Sequence, residues 1–125
     1  MFAAHIIEPA GYGMPARHRV LFIEKKSDRD NLVRFVKRNS EEWSEFRKNN
    51  PYTLAPSCFC WYPGTTAEPI GVRDARKLIG DDDPIFEGYG NDRAYAYVPF
   101  VMYEFKVLPY GVRIGWKDGR HYEAA

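Results

Sequence analysis

The side chains best equipped for chemistry in this chain are three histidines, two cysteines and a run of three aspartates. Cys58-Phe-Cys60 is the tightest grouping. A zinc site needs four ligands, normally from two spaced pairs, and His5, His18 and His121 supply no such spacing. In an extended strand both thiols point to one side, and a disulfide across a single residue would distort the backbone. Cys58 and Cys60 are therefore expected as buried, reduced and slow-reacting core residues, and no metal or other cofactor is expected. Each histidine stands without a nucleophile or carboxylate close in sequence, so a structural role is the default. Asp81-Asp82-Asp83 lacks the alternating carboxylates, sixth-position glycine and terminal glutamate of a calcium loop. It does follow a predicted helix C-terminus, where the macrodipole disfavours negative charge, and that placement points to a partner.

Two further patterns carry weaker signals. Glu104-Phe-Lys106, with Asp81 to Asp83 upstream, resembles the Asp…Glu-x-Lys arrangement of some metal-dependent nucleases. A second acidic-x-Lys triplet, Glu24 to Lys26, and a hairpin where a helix should follow make that the third-ranked reading. Arg93, Tyr95 and Tyr97 lie together, and Arg17, Arg19, Lys25 and Lys26 bracket a strand. Basic and aromatic residues on a sheet face suit nucleic acid, which ranks second. No glycine-rich phosphate loop precedes a helix. Tyr12, Tyr89 and Tyr110 each sit in a loop beside glycine or proline, where an amphipathic ring serves as a binding anchor or as a lid on the core.

These residues must be positioned by an α+β domain spanning 1–125. A mainly antiparallel sheet of five or six strands is expected, with a C-terminal β-meander. One long helix (about 28–48) packs on the sheet and one short helix covers about 67–79. Strands are predicted over Phe2 to Glu8, Arg17 to Glu24 and Thr53 to Tyr62. Val101, Tyr103, Phe105 and Val107 alternate with polar residues, and Pro99 before them marks an edge or a bulge. Val112, Ile114 and Trp116 repeat the alternation after a turn at Pro109-Tyr110-Gly111. Matching apolar faces pairs Phe105 with Ile114 and Tyr103 with Trp116, whereas a glycine-bulge turn would shift the register by one. Asp118-Gly119 then returns the chain with His121 opposite Trp116.

In the long helix Ser27 and Asp30 suit a capping box. Leu32, Phe35, Val36, Trp43 and Phe46 share one face, and Asn39 interrupts that stripe ahead of a kink or break near Ser40. Thr66 is expected to cap the short helix, with Pro69 in its first turn and Gly80 as its stop.

Charge and composition narrow the function classes. The net charge is +1, from 18 basic and 17 acidic residues, which argues against bulk attraction to nucleic acid or membranes. No apolar run reaches membrane-spanning length, and the cysteine usage without a secretory signal suggests a reducing, cytoplasmic setting. Residues 51–92 hold three basic and seven acidic side chains. The leading expectation is a small non-catalytic interaction module, an adaptor or inhibitor. Its contact surface is Asp81, Asp82, Asp83, Phe86, Glu87, Tyr89 and Asp92, set against a basic site on a protein partner.

Overall fold

The computed structural model describes residues 1–11, 13–56, 58–80, 100–108, 113–117 and 120–124, the last two stretches as backbone. The elements are β1 (Phe2–Glu8), β2 (Arg17–Ile23), α1 (Lys26–Asn49), β3 (Thr66–Ile70), α2 (Val72–Ile79), β4 (Phe100–Val107), β5 (Arg113–Lys117) and β6 (Arg120–Ala124). Every strand pairing is antiparallel, and the order across the sheet is β3-β1-β2-β4-β5-β6. An α+β fold with an antiparallel sheet, one long helix and one short one is what the sequence predicts.

Register assigns residues to the two faces. Ala4 pairs with Leu21, and Leu21 with Met102; Phe2 pairs with Ile23, and Ile23 with Phe100. Ala4, Ile6, Leu21 and Ile23 form one core with Leu32, Val33 and Val36 of α1, together with Trp61 and Ala67. The opposite pleat, with Ala3, Val20, Phe22, Val101, Tyr103 and Phe105, meets Ala75 and Ile79 of α2. β1 and β2 are thus covered on both sides. The unbroken apolar run Val20–Ile23 is fully buried for that reason.

The long helix is continuous over 24 residues, without the break expected near Ser40. Its N-cap is Lys25, without a side-chain cap bond, so Ser27 lies within the helix rather than capping it. The buried stripe is Leu32, Val33, Val36, Asn39, Ser40 and Trp43. Phe35 and Phe46, predicted to lie on it, are only partly buried at its margin. The stripe is rotated because Asn39 and Ser40 are turned inward to serve a loop described below. Asn50 closes the helix: its backbone N–H and its side-chain amide both donate to the Phe46 carbonyl, at 2.9 and 3.1 Å, just ahead of Pro51.

Three other expectations are corrected. Residues 53–56 and 58–62 are not a strand but turns and irregular backbone. Thr66 does not cap a helix: Thr66–Ile70 is the strand β3, and α2 begins only after Gly71. The open side of β1 explains this, since Ala3 to Ile7 pair with Ile70 to Thr66 and tertiary pairing overrides local preference. Gly80 does end the helix, at φ +99, a value that suits glycine. In the β4–β5 pair Phe105 faces Gly115 and Glu104 faces Trp116, one residue away from the face-matched register. Val107 pairs with Arg113, so five residues separate the pair where the face-matched register leaves four. Trp116 stands opposite His121, as expected. Tyr12, Arg93, Tyr95, Tyr97, Pro99 and Tyr110 lie outside the described residues.

β3 is an end strand of the sheet, and within its five residues it carries Glu68 and Pro69.

Candidate functional site

The described surface concentrates its unusual features where the C-terminal half of α1 meets the β1–β2 loop and the chain after α1. Asn39 organises this corner. It is 5% exposed, and its side chain replaces a missing strand neighbour for residues 58–61. Nδ2 donates to the Cys58 carbonyl at 2.8 Å, while Oδ1 accepts from the N–H groups of Cys60 and Trp61 at 2.8 and 2.9 Å. At the next position, Ser40 Oγ donates to the Tyr62 carbonyl at 2.8 Å. Buried backbone groups need partners, and a loop without ladder bonds finds them here on a helix. The clamp drives Trp61 into the core and brings Phe59 and Tyr62 onto Trp43, with ring centroids 6.2 and 4.7 Å away.

Below Trp61 the sheet face changes from apolar to ionic. Arg19 lies in register with Glu104, and Arg17 with Glu8. Arg19 donates from Nη1 to Glu8 at 2.8 Å and from Nε to Glu104 at 3.3 Å, while Arg17 Nε reaches Glu104 at 3.0 Å. Its Nη1 lies 3.9 Å from the other Glu8 oxygen. The Arg19 guanidinium also sits over the Trp61 ring, 5.0 Å from its centroid. Glu8, only 8% exposed, is tolerated because two arginines compensate it. Glu104, the carboxylate of the nuclease-like pattern, is engaged by both arginines.

At the edge of this grid opens a cavity of about 650 Å³. Trp43 and Tyr62 wall it on one side and Met14 on another; Pro9, Pro15, Pro51 and Pro63 stiffen its borders. Among the described residues its charged lining is Glu8, Arg17, Arg47 and Lys106. Arg47 is exposed on the last turn of α1, and Tyr62 is 54% exposed. The chain leaving α1 passes beside the cavity at Pro51. It then presents Tyr52 and Leu54 at 100% and 92% exposure.

On the opposite pleat His5 and His18 meet, with Nε2 and Nδ1 3.1 Å apart, and the His18 ring stacks on Phe105 at 4.9 Å. A bond between two imidazoles requires one nitrogen to carry a proton and the other to lack it. Burial holds the His5 pKa below its ordinary value; repulsion from His18 lowers it further, and Glu68 partly opposes both. Burial lowers His18 as well. The unfolded chain therefore binds more protons than the native one once pH drops below about 6.5. Native stability should fall from that point down to the lowered native pKa values and change no further below them on account of this pair. Urea midpoints at pH 7.5, 6.5 and 5.5 test this, with His5→Gln expected to flatten the profile. A parent profile that is already flat over this range would refute it.

The predicted contact residues Asp81, Asp82, Asp83, Phe86, Glu87, Tyr89 and Asp92 lie outside the described residues. The cysteines are free, but Cys58 is exposed and Cys60 only partly buried, against the expectation of a buried pair. The loop that replaces the predicted strand turns Cys58 outward. Among the described residues no group of three His, Cys, Asp or Glu side chains could hold a metal ion. No helix among them is long and apolar enough to cross a membrane. Sequence reasoning missed Arg47, Tyr52, Leu54 and Tyr62. The available signal was Asn39, a polar residue on an apolar stripe, which marks a helix that must hold something other than a sheet. Comparison with models of protein families, with curated proteins and with solved structures gives no match.

Proposed function

We propose that this chain is a small non-catalytic interaction module that grips a protein partner through the loop following α1. The observation that carries this reading is the exposure of Tyr52 and Leu54, two large apolar side chains almost wholly in water on consecutive alternate positions. Met14 and Tyr62, 52% and 54% exposed, add apolar surface in the neighbouring cavity wall. Grouped exposed apolar side chains mark contact surfaces, and desolvated aromatics supply most of the holding energy in an interface. The carboxylates of Asp81, Asp82, Asp83, Glu87 and Asp92, with Phe86 and Tyr89, are proposed as a second contact that steers a basic partner into place. Nucleic acid is the weaker reading because Arg17 and Arg19 are tied to Glu8 and Glu104.

The test compares affinity capture from the native host by the parent and by a Tyr52→Ser, Leu54→Ser double variant. A partner held by the parent should be lost with the variant, whose unfolding free energy stays within about 0.5 kcal/mol of the parent. Replacing Asp81, Asp82 and Asp83 by asparagine should slow association with that partner and flatten its salt dependence. Equal capture by parent and double variant would remove the loop from the contact surface.

A further inference from the structure

We propose that Cys58 and Cys60 form a two-sulfur site for a soft monovalent cation, Cu(I). This goes beyond the protein contact assigned to Tyr52 and Leu54 and does not depend on it. The inertness expected of the pair rested on burial. Cys58 is instead exposed and Cys60 only partly buried, and no disulfide joins them.

The backbone sets where the two sulfurs stand. Asn39 takes the Cys58 carbonyl and the Cys60 N–H on one side-chain amide, each at 2.8 Å. Those are the two groups that a neighbouring strand would bond, so the chain is extended at Phe59. Along an extended chain alternate side chains share one side. Phe59 is directed to Trp43, with ring centroids 6.2 Å apart, and Trp61 to the core. Cys58 and Cys60 therefore share the other side, and Cys60 Sγ lies 3.8 Å from the Cys58 carbonyl oxygen.

This spacing selects the occupant. Alternate residues of an extended chain stand about 6.6–6.8 Å apart, at the long limit for a disulfide with its S–S bond of about 2.05 Å. Closing that bond would pull the Cys60 N–H away from Asn39. A metal ion between the sulfurs spans two metal–sulfur bonds and bridges the gap with the backbone in place. Thiolates favour soft ions, Cu(I) among them. Tetrahedral zinc needs four ligands, and among the described residues no third His, Cys, Asp or Glu side chain joins the pair. Cu(I) accepts two sulfurs in line, so this pair completes its coordination. Each thiol loses its proton as its Cu–S bond forms: two thiols and Cu(I) give a bis-thiolate complex of charge −1 and two protons.

The experiment uses the full chain without oxygen, with Cu(I) supplied as its coloured bicinchoninate complex and zinc as the comparison ion. One Cu(I) should pass to each monomeric chain. Affinity should rise about 100-fold from pH 6 to pH 7, because two protons leave. Bound Cu(I) should protect both thiols from iodoacetamide, a reading that needs no substitution. Cys58→Ser and Cys60→Ser should each weaken binding at least about tenfold, and zinc should bind at least about 100-fold less tightly than Cu(I). Cys58→Ser, at an exposed position, should keep the parental melting temperature. The Tyr52→Ser, Leu54→Ser variant should bind Cu(I) as the parent does, which separates this site from the protein contact. No transfer of Cu(I), one ion shared between two chains, or parental affinity in either serine variant would each overturn the proposal. So would rapid closure of a Cys58–Cys60 disulfide by glutathione disulfide in a protein that takes up no Cu(I).

Discussion

Replacing Asn39 by leucine is expected to lower the unfolding free energy by roughly 3–5 kcal/mol, although the two side chains are close in size and the stripe would become more apolar. Three backbone groups lose their partner at once: the Cys58 carbonyl and the N–H groups of Cys60 and Trp61. The bond to the Trp61 N–H is buried and the other two are partly so; a buried group left unmatched costs about 1–3 kcal/mol, and less where water can enter. Asn39→Asp keeps the acceptor for the two N–H groups and loses only the donor to Cys58, so it should be milder at neutral pH. Urea denaturation gives the stability change. A second readout is local: Cys60, now partly buried, should react faster with a thiol reagent in the native Asn39→Leu protein. A leucine variant within about 0.5 kcal/mol of the parent, with unchanged labelling, would mean that the loop does not depend on the clamp.

Trp61→Ala should remove about 3–5 kcal/mol by a different route. Trp61 is 1% exposed and packs in the core shared by α1, β1 and β2. Truncation leaves a large cavity under the helix and strips the Arg19 guanidinium of the ring it lies over at 5.0 Å. Trp61→Phe should recover much of the loss, since a ring is retained. Because Asn39 holds the Trp61 backbone N–H and so seats the ring that Trp61→Ala removes, the two losses should sum to more than the double variant shows. A Trp61→Ala loss below about 1 kcal/mol would place the residue outside the cooperative core.

The sequence was legible where one physical effect dominated. Phe2–Glu8 and Arg17–Ile23 follow from apolar runs between breakers, and the long helix follows from periodicity and its stop before Pro51. It was misleading where a long-range partner decided the outcome. Thr66–Ile70 contains a proline and lies next to a helix, yet β1 offers it a ladder, and no local property records that offer. Cys58 to Tyr62 has strand-like residues but meets an amide on a helix instead of a strand. The β4–β5 register differs by one residue from the one that apolar matching alone selects. The candidate site was the least legible part. Arg47, Tyr62 and Met14 lie far apart in sequence and are brought together only by the clamp and the β1–β2 loop. Leu54 reads as an ordinary residue of the expected Thr53 to Tyr62 strand, and Tyr52, just ahead of that stretch, carries no local signal of exposure.

The end strand β3 has a consequence for how the molecule can associate. An exposed strand edge is a template on which another chain can extend the sheet through its backbone. Pro69 has no N–H to offer such a chain, and Glu68 beside it brings a charge to the seam. Growth of the sheet along this border is therefore blocked chemically, in a short strand of five residues with little template to copy. Fibril-like stacking and strand donation by a partner are both discouraged on this flank.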